Sequence, residues 1–171
     1  YRRGGDNLHL PPHEVMIAEQ VRHSINTGSL KYDWLSPDER HRFNVFASLQ
    51  HINRESYYGA GMDPNAYGET MDLTWVAGGQ YVYKFDRCLF MPADLTAGIE
   101  YNFDGLDDVI LGYNRNFNQD IHITSAFLQN EWKNKEWSIL IGGRLEQHSL
   151  LDKPVFSPRA NVRYTPIDPI I

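Results

Sequence analysis

Cysteine is almost missing from this chain: Cys88 is alone among 171 residues, so no intrachain disulfide can staple the fold. Its surroundings, DRCLFMP at 86–92, offer neither basic neighbours nor a helix start to lower a thiol pKa, and Cys88 reads as a turn-flanking residue rather than a nucleophile. Basic charge is short as well. Lys and Arg number 16 against 22 Asp and Glu, for a net charge of −6, so no basic stripe is available to displace counterions from phosphates and a nucleic-acid partner is excluded. No apolar run reaches the roughly 18 residues of a transmembrane helix, and no signal-type segment is present. The chain starts at Tyr1 without an initiator methionine, and the expectation is a piece of something longer. Catalytic signatures are missing too: there is no GxSxG, HExxH, P-loop or dinucleotide fingerprint. Glu100 and Glu146 are the one pair of carboxylates that could attack a glycosidic bond, and spacing alone does not bring them together. No catalytic residue is assigned.

A mean hydropathy of −0.50 usually means a soluble protein, but membrane β-barrels escape that inference because their strands alternate and never form an apolar block. Alternation is what this chain has in abundance. In ADLTAGIEYNF at 93–103, Leu95, Ala97, Ile99, Tyr101 and Phe103 share one face, and Asp94, Thr96, Gly98, Glu100 and Asn102 the other. EWSILIGGRLE at 136–146 sets Trp137, Ile139, Ile141 and Leu145 against Glu136, Ser138, Arg144 and Glu146, with Leu140 as the exception. At 72–85, Leu73, Trp75, Ala77, Tyr81, Tyr83 and Phe85 oppose Asp72, Thr74, Gln80 and Lys84, while Val76 and Val82 break the rule. Phe43, Val45, Ala47 and Leu49 oppose Arg42, Asn44, Ser48 and Gln50, with Phe46 as the outlier. In PVFSPRANVRYTP at 154–166, Phe156, Ala160, Val162 and Tyr164 oppose Arg159, Asn161 and Arg163. Residues 123–132 carry apolar side chains on both parities, and their outward face stays open.

The connections fall into two alternating classes. SPDERH at 36–41, DRCLFMP at 86–92 and KNKE at 133–136 read as short turns; residues 57–72, 104–120 and 148–154 read as long loops rich in Gly, Pro, Asp and Asn. With a further strand near SLKYDWL at 29–35, the expectation is an all-β, antiparallel, up-and-down meander of about seven strands. Short turns at one end and long loops at the other are the asymmetry of outer-membrane barrels. Tyr32, Trp34, Phe43, Phe85, Trp132 and Trp137 all sit beside the short turns, where an interfacial aromatic girdle would lie. Gln80, Lys84, Glu100, Asn102, Arg144, Glu146, Arg159, Asn161 and Arg163 are then expected to face a wet lumen, since an arginine facing lipid costs about 2–4 kcal/mol near the midplane.

Three strings, FSPRANVRYTP, FLQNEWK at 127–133 and HINRESYYGAGMDPNAYG at 51–68, resemble the barrel of TonB-dependent outer-membrane receptors, particularly those of the Bacteroidetes type, and the likeness runs from about residue 29 to 166. The resemblance implies a barrel of about 22 strands closed by an N-terminal plug. It implies active uptake of a scarce ligand such as a siderophore, haem, cobalamin or saccharide, with energy from the TonB complex. The partners implied are that ligand, outer-membrane lipid and the plug domain of the parent chain. Residues 29–166 are assigned to strands and loops of the barrel, and IDPII at 167–171 to an interrupted turn. An excised meander would expose two unpaired edges and an apolar face, so self-association of the piece is expected.

Residues 1–28 are assigned to an extracellular loop segment. In it, Val15, Ala18, Val21 and Ile25 recur at helical spacing after Pro11 and Pro12 and before Gly28, and the expectation is a short helix. His9, His13, Glu14 and His23 fit no zinc-ligand spacing, and no cofactor or metal is assigned. Candidate ligand contacts are Tyr57, Tyr58, Asp63, Asn65 and Tyr67 in one loop and Asp107, Asp108, Tyr113, Asn114 and Arg115 in the next, because aromatic faces beside hydrogen-bonding groups suit sugars, chelates or large cofactors. Asp107 and Asp108 lack the alternating oxygen ligands of a calcium loop. The competing reading is a soluble β-sheet module, carbohydrate-directed, whose apolar face is a packed core.

Overall fold

The alternating segments form strands, and they run further than the sequence pattern suggests. A computed structural model describes residues 1–5 and 7–166. The strands are β1 (Arg2–Arg3), β2 (Ile17–Leu35), β3 (His41–Ala60), β4 (Tyr67–Cys88), β5 (Met91–Ile110), β6 (Arg115–Lys133), β7 (Trp137–His148) and β8 (Val155–Tyr164). They make one sheet in the order β1 to β8, each strand beside its neighbour in the chain; β1 pairs with β2, β6 with β7 and β7 with β8 in antiparallel fashion. The up-and-down meander is therefore as expected, with the two-residue β1 added in front of the seven long strands.

Two expectations change. The helical spacing over residues 15–25 does not make a helix: one 3-10 turn, Pro12–Glu14, is followed at once by β2. Ile17, Val21 and Ile25 are β-branched residues that also alternate against Gln20, Arg22, Ser24 and Asn26, and pairing of Arg2 with Gln20 and Arg3 with Glu19 fixes the extended form. The long loops also shrink, because strands of 19–22 residues leave only residues 61–66, 111–114 and 149–154 as connections on that side. Such strands are about twice the 9–11 residues needed to cross a hydrocarbon layer. The turn expected at 167–171 lies outside the described residues.

Pairing also decides the face that alternation left open. Ala126, Asn130 and Trp132 stand opposite Leu145, Ile141 and Ile139, whereas Phe127 stands opposite Arg144 and Ser125 opposite Glu146. Directly paired residues share a face, so the even-numbered residues of β6, including the exposed Leu128, belong to the apolar side. Phe127 goes to the polar side. It lies against Gly98, where an added Cβ would meet the ring at 2.5 Å, and the outlier Phe46 lies in the same way against Gly78, at 2.7 Å. An aromatic ring on the polar face is possible at both places because the neighbouring strand presents no side chain there.

By contacts the chain divides into two compact units. The first takes Tyr1–Gly28, Ser48–Trp75 and Phe103–Ile121, and its small core is Val15, Ala18, Tyr57 and Ala66. The second takes Ser29–Ala47, Val76–Asn102 and the chain from His122 onward. Its turns are tight and built from side chains: Asn134 Oδ1 accepts the N–H groups of Glu136 (2.9 Å) and Trp137 (2.7 Å), and Ser36 Oγ accepts from His41 N–H at 2.9 Å while donating to Asp38. Beside them lies the aromatic cluster: Phe90 stacks on Trp132, whose Nε1–H donates to the Cys88 carbonyl at 3.0 Å, and Trp137 stacks on Tyr164.

The apolar face has almost nothing over it. Ile99 is 68% exposed, Phe156 66% and Ile141 56%, and among the described residues the buried apolar side chains are only Pro12, Val15, Ala18, Tyr57, Ala66 and Ala93. A water-soluble sheet of this size buries one face against another layer. Here no second sheet is present among the described residues.

Candidate functional site

Neighbours along a strand point to opposite sides, and this separates the candidate ligand residues of the first unit into two groups. Arg54, Tyr58, Thr70, Leu106, Asp108, Ile110, Tyr113 and Arg115 line a cleft of about 690 Å³ on the side of the even-numbered residues of β3 to β5, the polar parity. Tyr57, Tyr67 and Asp107 line a cleft of about 550 Å³ on the opposite side, with Glu55 and Glu69. Adjacent pairs such as Tyr57 and Tyr58, or Asp107 and Asp108, are therefore divided.

On the polar side Asp108 is the anchor. Its side chain is 7% exposed; Thr70 Oγ1 donates to one carboxylate oxygen at 2.5 Å, and Arg115 Nε forms an ion pair with the other at 2.5 Å. Arg54 Nη2 donates to Tyr58 Oη at 2.8 Å, and Tyr113 Oη donates to the Tyr58 carbonyl at 3.2 Å. These bonds hold both tyrosines and both arginines at the cleft. Asn114 closes the turn in the left-handed region, at φ 50°, with its N–H on the Leu111 carbonyl.

The other group has a structural task in part. Tyr57 is 1% exposed, donates its hydroxyl to the Asp63 carbonyl at 3.0 Å and meets the Tyr67 ring edge-on at 4.8 Å. Asp63 Oδ1 accepts the Asn65 N–H at 2.9 Å, and Asp107 accepts from Asn118 Nδ2. His13 Nδ1 lies 2.8 Å from Tyr67 Oη. Among the described residues no group of three or more His, Cys, Asp or Glu side chains is arranged to hold a metal ion.

In the second unit, four of the residues expected in the lumen form one network on the polar side. Arg144 Nη2 reaches Glu100 Oε1 at 3.3 Å and its Nε reaches Glu146 Oε2 at 3.1 Å, while Asn102 Nδ2 donates to Glu100 at 3.0 Å. Glu100 and Glu146 are thus bridged by one guanidinium. Arg159, Asn161 and Arg163 alternate along β8, opposite Gly142, Leu140 and Ser138, and are exposed. Gln80 and Lys84 lie in β4 at the polar parity.

A charged face bonded within itself, behind an apolar face left bare along strands of membrane-crossing length, is the pattern of a transmembrane barrel wall. The profile of the family described as TonB dependent receptor-like, beta-barrel matches residues 13–170. The chain belongs to this TonB-dependent receptor barrel family. Members of the family are outer-membrane transporters rather than enzymes. No curated protein and no solved structure matches the chain.

In this TonB-dependent receptor barrel the cleft also takes Arg54, Thr70, Leu106 and Ile110, which the sequence pattern does not mark as ligand contacts. Arg54 carries a signal: it shares its parity with Ser56 and Tyr58, and β3 continues through them to Ala60 where the composition reads as a loop from residue 57. Thr70 carried none, since its importance comes from Asp108, which lies in another strand.

Proposed function

We propose that this chain forms part of the barrel of an outer-membrane receptor that binds a scarce ligand, of the siderophore, haem, cobalamin or saccharide kind, and moves it actively into the periplasm. The observation that carries the reading is the division of the sheet into a bare apolar face and a self-bonded charged face, in a chain of this family. The apolar face meets lipid. Gln80, Lys84, Glu100, Asn102, Arg144, Glu146, Arg159, Asn161 and Arg163 face the lumen, where the plug domain of the parent receptor packs and transmits the pull of the TonB complex. The cleft at Arg54, Tyr58, Asp108, Tyr113 and Arg115 contacts the ligand, and the connections 61–66, 111–114 and 149–154 are extracellular. The likeness of FSPRANVRYTP and FLQNEWK supports the Bacteroidetes type.

The strand edges support self-association of the isolated piece. β8 has no partner on its second side among the described residues, and β2 is covered by β1 only near Glu19 and Gln20, so both present backbone groups to any matching strand.

The test is fractionation and uptake with the intact receptor containing this chain. It should be found in the outer-membrane fraction, and deleting it should abolish growth on its limiting nutrient. Recovery of the receptor in the soluble fraction would refute the reading.

A further inference from the structure

We infer that the polar-side cleft selects a ligand by its carboxylate groups, an anion with a planar or apolar body, rather than a neutral saccharide; this rests on the receptor reading above. The lining carries Arg54 and Arg115 against the one acid Asp108, so it is cationic in a chain whose net charge is −6. The cleft on the other side of the sheet, with Glu55, Glu69 and Asp107, carries no such excess.

Donors are in surplus while the charged acceptor is spent. One oxygen of Asp108 accepts from Thr70 and the other is ion-paired with Arg115 Nε. Arg54 spends Nη2 on the Tyr58 hydroxyl, and Arg115 pairs with Asp108 through its Nε, leaving its paired Nη groups on a side chain that is 58% exposed. A guanidinium fork matches a carboxylate in two parallel bonds. Sugar hydroxyls donate as well as accept, and at this cleft they would meet more donors than acceptors. Leu106, Ile110 and the exposed ring of Tyr113 supply the apolar surface for the body of the ligand. A volume of about 690 Å³ lies within the range of small-molecule sites.

The experiment is calorimetric titration of the intact, detergent-solubilised receptor containing this chain with benzene-1,3,5-tricarboxylate, and separately with maltotriose as the neutral probe. The tricarboxylate should bind saturably and more weakly as salt is raised, and maltotriose should not bind at this cleft. Arg54→Gln should weaken the tricarboxylate by about tenfold or more, the loss of one charge-assisted bond. Arg115→Lys keeps the charge beside Asp108 but loses the fork, and should weaken it as well. Heat-modified migration on gels checks that each variant is folded. Failure of the tricarboxylate to bind, or binding unchanged in both variants, overturns the inference. Maltotriose binding that is lost in Tyr113→Ala also overturns it, while leaving the receptor reading intact; that reading would fail on fractionation and uptake instead.

Discussion

Moving an arginine by a single residue along β7 separates a lipid face from a solvated one. Ile141 is 56% exposed on the apolar side, between Asn130 of β6 and Ala160 of β8. From Trp137, at the start of the strand, it is about 10 Å across the membrane at a rise of ~3.3 Å per residue and a tilt of ~40°. An apolar band about 25 Å tall, beginning at the aromatic girdle, has its midplane near that depth. Ile141→Arg should therefore cost about 2–4 kcal/mol. Leu140 points to the other side, between Glu131 and Asn161, and Leu140→Arg should change stability by less than about 1 kcal/mol, because the new cation meets a carboxylate and water. The assay is urea unfolding of the receptor barrel refolded into phospholipid vesicles, followed by tryptophan fluorescence. If Ile141→Arg stayed within about 0.5 kcal/mol of the parent, as ordinary exposed substitutions do, the apolar face would not be a lipid face and the argument built on it would fall.

Gly98→Ala should cost about 1–3 kcal/mol by overpacking, since its Cβ would meet the Phe127 ring at 2.5 Å and the Gly79 carbonyl at 3.0 Å; adding Phe127→Ala should recover part of the loss in the same unfolding assay, as a coupled pair does. Leu89 holds φ 64° at the β4–β5 turn with its side chain in the open, so Leu89→Gly should raise stability by about 0.5–1 kcal/mol, and a lower urea midpoint would contradict this. At the β2–β3 turn, bonds from the Ser36 hydroxyl and then the Arg40 N–H hold the Asp38 carboxyl below its ordinary value of 3.8. A depressed carboxyl stabilises the folded turn above that ordinary value and loses its contribution as pH falls through the lower folded one. Amide exchange at Arg40 and His41 should accordingly show the turn opening in that acid window, and Asp38→Asn should remove the pH dependence.

Most of the fold was readable because a strand's side-chain period is a property of the chain itself. Trp137 to Leu145 and Leu95 to Phe103 carry their faces in order, and the short turns announce themselves through Asp38, Asn134 and their neighbours. Residues 15–25 were not readable in the same way, because Val15, Ala18, Val21 and Ile25 satisfy a helical period while Ile17, Val21 and Ile25 satisfy a strand's. The polar string DGLDDVILGYNRNFNQD looked like a loop, yet β5 continues to Ile110 and β6 begins at Arg115. Ladder hydrogen bonds to neighbouring strands outweigh the weak propensities of Asp and Asn there.

The sequence by itself determined the all-β meander, the side of the sheet that carries charge, the end that carries aromatics and the family. Each of these is written in local period and composition. Only the tertiary structure decided the outward face of residues 123–132, the extended state of Ile17–Ile25 and the separation of Tyr57 from Tyr58 into different clefts. It also brought Arg54, Thr70, Asp108 and Arg115 from four strands to one place. Those outcomes depend on which residue stands opposite which, and pairing between segments far apart in the chain is information that no single strand carries.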